Sequence, residues 1–378
     1  MKKLRIILAG GGTGGHVYPL IAVSQKLRQW AEKSGGEADL RFFGNPGEYK
    51  DDLTANGIRI SKIASSKLRR YFSPLNFVDF FKFIFSVFQC FWKIYWFMPD
   101  ALFSKGGPGS IPVTLACFFY AIPIVVHESD TVPGLGTRFT SRFARVVELG
   151  FAAAAKHFGH VKGKMAVVGD PVRKEILEHF DQAAAKTDLG FDPAKPLVLV
   201  FGGSQGSNRM NDFVIANLEA LLLKFQILHI VGREKFHEYK NQYDFIAKNF
   251  SPILLAGYKY FDYLGKDMGK ALDAADVVVA RGGAGGIFEI AAKGKPSIIV
   301  PFPEAAADHQ KENGYVYAST GAAMVIEQEN LLPSIFLSQI DKIFSDQQFR
   351  AKMSAAALAF YQADSADRIA VDILELIH

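Results

Sequence analysis

Two short apolar runs, each ending in a glycine cluster that opens a helical stretch, constrain this chain more than any other feature. The first run, Leu4 to Ala9, leads into Gly10-Gly11-Gly12-Thr13-Gly14-Gly15-His16 and then Val17 to Trp30. The second, Leu197 to Phe201, leads into Gly202-Gly203-Ser204-Gln205-Gly206-Ser207 and then Asn208 to Lys224. A strand-loop-helix turn of this kind aims backbone N–H groups and the positive end of a helix dipole at one spot. That spot suits a phosphate or a developing negative charge. One such turn is common. Two, nearly two hundred residues apart, imply twin doubly wound α/β domains facing a ligand cleft. A length of 378 residues, beyond the usual size of one core, agrees.

Apolar, β-branched runs alternate with amphipathic stretches along the whole chain, the pattern of βαβ units and parallel sheets. Strands are expected at Leu40 to Phe43, Ala101 to Ser104, Ile124 to His127, Val146 to Leu149, Leu228 to Val231, Ile253 to Leu255, Val277 to Ala280 and Ser297 to Val300. The segment Val168-Gly169-Asp170-Pro171-Val172, punctuated by Gly and Pro, reads as the crossing between halves. The final helix, from about Asp364 to Ile377, is compatible with closing the second domain or crossing back to the first. In open α/β sheets, ligands sit beyond the carboxyl ends of strands, near a switch in strand order. The polar clusters all fall there: Gly106-Gly107-Pro108-Gly109, His127-Glu128-Ser129-Asp130, Arg281 to Gly286 with Glu289 beyond, and Pro303 to Gln310.

A formal charge of +5 with no basic run in a reader motif argues against nucleic acid. Two cysteines, Cys90 and Cys117, both in apolar stretches, exclude a disulfide framework and a cysteine zinc site. The basic start, Met1-Lys2-Lys3, precedes too short an apolar run for a signal peptide. Tyr71 to Phe97 is unusual, with nine phenylalanines, two tryptophans and two tyrosines. On a helix, its polar residues Asp79, Lys82, Ser86, Gln89 and Lys93 fall within an arc of about 80°. Its three charges oppose a transmembrane span. With Lys62, Lys67, Arg69 and Arg70 beside it, the stretch reads as a helix lying in a membrane interface, held by anionic lipid. Burial against a domain core is the competing account.

Gly10, Gly12 and Gly15 satisfy a dinucleotide fingerprint, but that motif needs a carboxylate at the end of the second strand. Phe42-Phe43-Gly44-Asn45 supplies none, and His16 stands where a small residue is wanted. An oxidoreductase is therefore disfavoured. At a helix N-terminus His16 is expected to stay neutral, able to accept a proton or simply to bond its own loop. Glu289, about one turn into its helix, could reach a ribose diol or be a solvated first-turn acid. Asp308, His309 and Gln310 lack further spaced ligands, so no metal site and no cofactor are expected.

These residues together resemble the bacterial MurG family of glycosyltransferases, nearly end to end. The supports are Gly11 to His16, His127-Glu128, Gly169 to Arg173, Gly202 to Gly206, and Asp308-His309-Gln310 with Asn313. The resemblance implies the GT-B fold, two Rossmann-like domains around a cleft. Residues 1–168, with 360–378 crossing back, would bind acceptor and membrane; residues 169–359 would bind the UDP-sugar donor. It implies transfer of N-acetylglucosamine from UDP to the 4-hydroxyl of a muramoyl sugar on undecaprenyl diphosphate (lipid I), at the cytoplasmic face of the cell membrane, with inversion and without a metal. Carried over by position, His16 is the candidate base or a contact to the acceptor diphosphate, and Glu128 beside it is the second catalytic candidate. Thr13, Gly14, Gly15 and Asp130 line the substrate cleft, and Arg173 and Ser204 contact diphosphate. Leu264 and Gly265 contact uracil, Ala284, Gly285, Gly286, Ile287, Phe288 and Glu289 hold phosphate and ribose, and Gln310 meets the donor sugar. The chain departs from the family pattern at Ser129 and Asp130 (usually Gln-Asn), at Asp170 (usually Asn), and at Gly282 and Gly286, where Ser and Thr are usual. Other readings are a GT-B transferase with another lipid acceptor, a UDP-sugar epimerase, or a non-catalytic nucleotide-binding module.

Overall fold

The protein is described here by a computed structural model covering residues 3–64, 75–203, 206–303 and 308–377. Its contacts divide into two compact units, one of residues 1–173 with 363–378, the other of residues 174–362.

The first unit carries strands β1 (Lys3–Ala9), β2 (Glu37–Phe43), β3 (Arg59–Ser61), β4 (Ala101–Ser104), β5 (Ile124–Glu128), β6 (Val146–Leu149) and β7 (Lys164–Val167). They form one sheet in the order β3-β2-β1-β4-β5-β6-β7, parallel throughout. Every residue of β4 and β5 is buried, as expected where helices cover both faces. On one face the Gly14–Lys33 helix packs Val17, Leu20 and Leu27 beside Ile369, Ile373 and Leu374 of the final Ser365–Glu375 helix. On the other face Cys90, Ile94 and Phe97 of the aromatic Leu75–Phe97 helix meet Val113, Ala116 and Cys117 of the Ser110–Phe119 helix. Both cysteines are free and buried. The strand order reverses between β1 and β4, which opens a crevice at their carboxyl ends.

The second unit repeats the plan with β8 (Leu197–Phe201), β9 (Gln226–Ile230), β10 (Tyr258–Phe261), β11 (Val277–Ala280), β12 (Ser297–Ile299) and β13 (Ala323–Val325). The order is β10-β9-β8-β11-β12-β13, again all parallel, with the reversal between β8 and β11. One expected strand is corrected. Residues Ile253 to Leu255 lie in a helical turn, Pro252–Leu255, and the strand follows at Tyr258–Phe261. Ser251 caps that turn, its Oγ accepting from Leu254 N at 3.2 Å, and Pro252 occupies the first helical position, where its missing N–H costs nothing.

Candidate functional site

The first glycine loop runs from β1 into the Gly14–Lys33 helix, with Thr13 extended at the N-cap. Thr13 Oγ1 and His16 Nδ1 lie 3.0 Å apart, and His16 N donates to Thr13 O at 3.0 Å. The imidazole lies so close over the loop that a Cβ at position 11 would sit 2.6 Å from Nδ1. Gly11 is therefore needed for His16 to lie where it does. The loop after β4 presses on the same place. A Cβ on Gly107, which has φ +84°, would come 3.2 Å from Gly11 N, and one on Gly136 would come 2.6 Å from the Gly107 carbonyl carbon. Gly10, Gly11, Gly107 and Gly136 thus form one close-packed backbone layer at the switch point. Arg173 stacks its guanidinium 4.3 Å from the centroid of Tyr18, two residues past His16. Tyr18 was not anticipated; its aromatic ring one half-turn beyond the loop is the available signal.

Glu128 ends β5 and is buried. Its Oε1 accepts from Asp130 N at 3.0 Å. Burial pushes the Glu128 carboxyl up to about 8, and the Asp130 charge adds to that, while the Asp130 amide, the Thr137 hydroxyl and Lys105 pull the other way. His127 beside it is fully buried, with Nε2 donating to Gly169 O at 2.7 Å and Nδ1 accepting from Lys105 Nζ at 2.7 Å. Burial, reinforced by Lys105, lowers the imidazole to about 3. His127 is a neutral structural group. Lys105 escaped sequence analysis, although a lysine directly after the wholly buried run Ala101–Ser104 signals a cation in need of partners.

In the second unit, Ser204 and Gln205 lie outside the described residues. Ser207 caps the Asn208–Ala216 helix, its Oγ accepting from Met210 N at 3.3 Å and from Arg281 Nη2 at 2.5 Å. The third loop follows β11 and opens the Ala284–Ala292 helix at Gly283. Helix geometry leaves the N–H groups of Ala284, Gly285 and Gly286 without intrahelical acceptors. Ile287 and Phe288 point into the core, Phe288 against Phe360 at 5.1 Å, so a ligand could meet them only through backbone. Glu289 is half-buried on the same turn. Gln310 joins this loop: a Cβ at Gly282 would lie 2.1 Å from Gln310 O, and Asn313 Nδ2 donates to Gly282 O at 3.0 Å. The backbone approach excludes the family's usual side chain at position 282. Gly286 is less confined, with Phe201 Cε2 at 3.3 Å. Leu264 and Gly265 stand past the carboxyl end of β10, in the turn that leads to the Met268–Ala274 helix.

Over its second half the aromatic helix turns its polar stripe toward its own unit, while Lys82 in the first half is exposed. Ser86 is buried, Gln89 Oε1 accepts from Ala64 N at 2.9 Å, and Lys93 Nζ donates to Lys62 O at 2.5 Å. Outward stand Phe77, Phe80, Phe81, Phe85, Phe88, Trp92, Tyr95 and Trp96, of which Phe88 is 68% and Trp96 69% exposed. Phe119, at the end of the next helix, extends the patch through a 5.0 Å ring contact with Phe91. Among the described residues no helix is long and apolar enough to cross a membrane. Lys67, Arg69 and Arg70 lie outside the described residues.

Known proteins agree with this architecture at every level. Residues 6–148 match the glycosyltransferase family 28 N-terminal domain and residues 197–369 the family 28 C-terminal domain. A UDP-N-acetylglucosamine–N-acetylmuramyl-(pentapeptide) pyrophosphoryl-undecaprenol N-acetylglucosamine transferase of Clostridium kluyveri is 33% identical over 362 residues, 95% of this chain and 96% of that protein. The crystal structure of Acinetobacter baumannii MurG superposes with a TM-score of 0.73 at 24% identity, covering 98% of this chain and 99% of that one. A UDP-GlcNAc 2-epimerase from Neisseria meningitidis, bound to UDP-GlcNAc, shares the fold at a TM-score of 0.67 and 10% identity, covering 99% and 100%. Matched in both halves and along its length, the chain belongs to glycosyltransferase family 28 and, within it, to the MurG group.

Proposed function

We propose that this protein moves N-acetylglucosamine from UDP-N-acetylglucosamine to the 4-hydroxyl of the muramoyl sugar of lipid I, giving lipid II for peptidoglycan. The observation that carries the reading is the end-to-end identity to transferases of that name, together with glycine-opened helix N-termini at the carboxyl edges of both sheets. The epimerases that share the fold do so at only 10% and 14% identity, and an epimerase has no use for an outward aromatic face.

The chemistry assigns distinct tasks. The acceptor hydroxyl attacks the anomeric carbon, its proton passes to a base, and UDP departs with the bonding electrons, which inverts the configuration. Base function at His16 needs the tautomer in which Nδ1–H donates to Thr13 Oγ1, leaving the lone pair on Nε2. Glu128, its carboxyl raised by burial and by the Asp130 charge, orients the acceptor by hydrogen bonding alongside Asp130. The first unit is thus the acceptor side. On the donor side, the N–H groups of Ala284 to Gly286 take phosphate oxygens, Glu289 the ribose diol, Leu264 and Gly265 the uracil, and Gln310 the sugar. Arg173, with the helix dipole, offsets charge on the departing diphosphate. Ser204, outside the described residues, is assigned to diphosphate by resemblance alone.

The aromatic helix is the membrane anchor. Its apolar face lies in the headgroup region of the anionic cytoplasmic leaflet, and Lys82, exposed beside Phe77, Phe81 and Phe85, meets the lipid charge. Donor labelled in the sugar tests the whole reading. Label should enter the organic phase only when a lipid-linked muramoyl acceptor is present. Label that stays aqueous with acceptor present, or converts without it, refutes the assignment.

A further inference from the structure

A single ammonium ties together three loops at the carboxyl edge of the first sheet. Lys105, the first residue past β4, is 2% exposed. Its Nζ donates to Asp170 Oδ1 at 2.9 Å, to His127 Nδ1 at 2.7 Å and to Ser129 Oγ. Ser129 Oγ donates in turn to Asp170 Oδ1 at 2.8 Å. An ammonium can only donate, so His127 Nδ1 must be unprotonated, and its Nε2–H goes to Gly169 O. Donors and acceptors match throughout, with one positive and one negative charge. The bonded residues belong to the loop after β4, to the end of β5 with the loop beyond it, and to the segment after β7. Those stretches carry Glu128, Asp130 and Arg173. Ser129 and Asp170, two positions where the chain departs from the family pattern, meet in this cluster and read as one exchange.

The second unit places a cation at the same topological position. Arg281 is the first residue past β11, as β11 adjoins β8 across that sheet's switch point just as β4 adjoins β1. It is 7% exposed, with Nη1 donating to Val300 O and Pro301 O at 3.1 Å and Nη2 to Ser207 Oγ at 2.5 Å and Gln328 Oε1 at 2.7 Å. Each unit therefore buries one cation just past the strand across its switch, and each cation braces the surrounding loops.

We propose that Lys105 and Asp170 form a positioning pair for sugar transfer, holding the 127–130 loop and the 168–173 segment in the register that presents Glu128 and Asp130 to the acceptor and Arg173 to the departing diphosphate. This rests on the roles proposed above for those three residues. Stability alone does not require the pair, because burying two charges costs as much desolvation as their attraction returns, and a neutral pair of similar volume is often as stable. Removing one member is different, since it strands a buried charge.

The test uses the full chain with Lys105→Met, Asp170→Asn and the double substitution, measuring melting temperature, kcat, and KM for each substrate. Each single variant should melt lower and lose at least about thirtyfold in kcat/KM. The double variant should melt within a few degrees of the parent, yet keep a roughly tenfold deficit in kcat with KM for UDP-N-acetylglucosamine within about twofold. A double variant with parental kcat would reduce the pair to a structural element and overturn the proposal. So would activity losses that follow melting temperature across all three variants. Imidazole 15N shifts keep the two readings separable. His127 should hold the Nε2–H tautomer in the parent and lose it in Lys105→Met even if no sugar transfer is detected, whereas a parental shift in that variant removes Lys105 from the network.

Discussion

Replacing Phe88 by Ser should weaken binding to anionic vesicles by roughly ten- to a hundredfold while leaving the fold intact. Phe88 is 68% exposed on the outer face of the aromatic helix. An aromatic side chain of roughly 200 Å² then offers about 135 Å² to the bilayer. At about 25 cal/mol per Å², full insertion of that face contributes about 3 kcal/mol, and half insertion about half as much. Each 1.4 kcal/mol is about tenfold in partitioning, which sets the range. Removing an exposed ring leaves no cavity, so the melting temperature should hardly move. Co-sedimentation with vesicles containing anionic lipid, at low and at physiological salt, reads the effect. Phe245, 73% exposed in the second unit, supplies the control, and Phe245→Ser should bind as the parent does. Parental binding by Phe88→Ser, or an equal loss in the Phe245 variant, would refute the assignment of this helix as anchor.

Other consequences follow from the site and the cores. His16→Ala should lower kcat by about 10²–10⁴-fold with UDP-N-acetylglucosamine affinity unchanged in calorimetry, and a near-parental rate would remove His16 from proton transfer. Gly282→Ser places a Cβ 2.1 Å from Gln310 O and should displace the 308–313 segment, raising KM for the donor far more than KM for the acceptor. Burial and the neighbouring Asp372 carboxylate raise Glu148 well above its ordinary 4.5, so it holds its proton in the folded state and gives it up only at higher pH. Its contribution to stability is complete below about pH 4.5 and drains away as pH climbs through the raised value, with Lys164 and Arg368 opposing the rise. Glu148→Gln should accordingly melt higher than the parent at pH 9 and nearer to it at pH 5, and a variant with the reverse trend contradicts the buried-acid account. Both thiols are buried, Cys90 pushed up to about 12, and a thiol reagent at pH 8 should label neither until the protein unfolds.

The centre of each sheet was legible in the sequence because fully buried parallel strands are continuous apolar runs, as Leu197–Phe201 and Val277–Ala280 show. The strands without such a signal sit at sheet edges. Arg59–Ser61, Lys164–Val167 and Ala323–Val325 are short, partly exposed and flanked on one side only, so their composition resembles that of loops. At Ile253 to Leu255 apolar content alone suggests a strand, but Ser251 and Pro252 just before it start a helical turn. Glycine loops announced the places where charge could be held, since backbone approach and helix starts are encoded locally. Pairing across loops is not. Lys105 meets Asp170 from 65 positions away, and nothing in either neighbourhood names the other. The direction of the aromatic helix was equally hidden, because an 80° polar arc does not say whether that arc faces water or, through Gln89 and Lys93, the chain itself.

The measurement that bears most directly on the whole account is the linkage of the sugar in the lipid product made from UDP-N-acetylglucosamine and a lipid I analogue, read by the anomeric proton coupling and long-range carbon correlations in NMR. A β-linked N-acetylglucosamine on the muramoyl 4-oxygen, with one UDP released for each, is the expected result. An α linkage, attachment elsewhere, or a free epimerised sugar would contradict it.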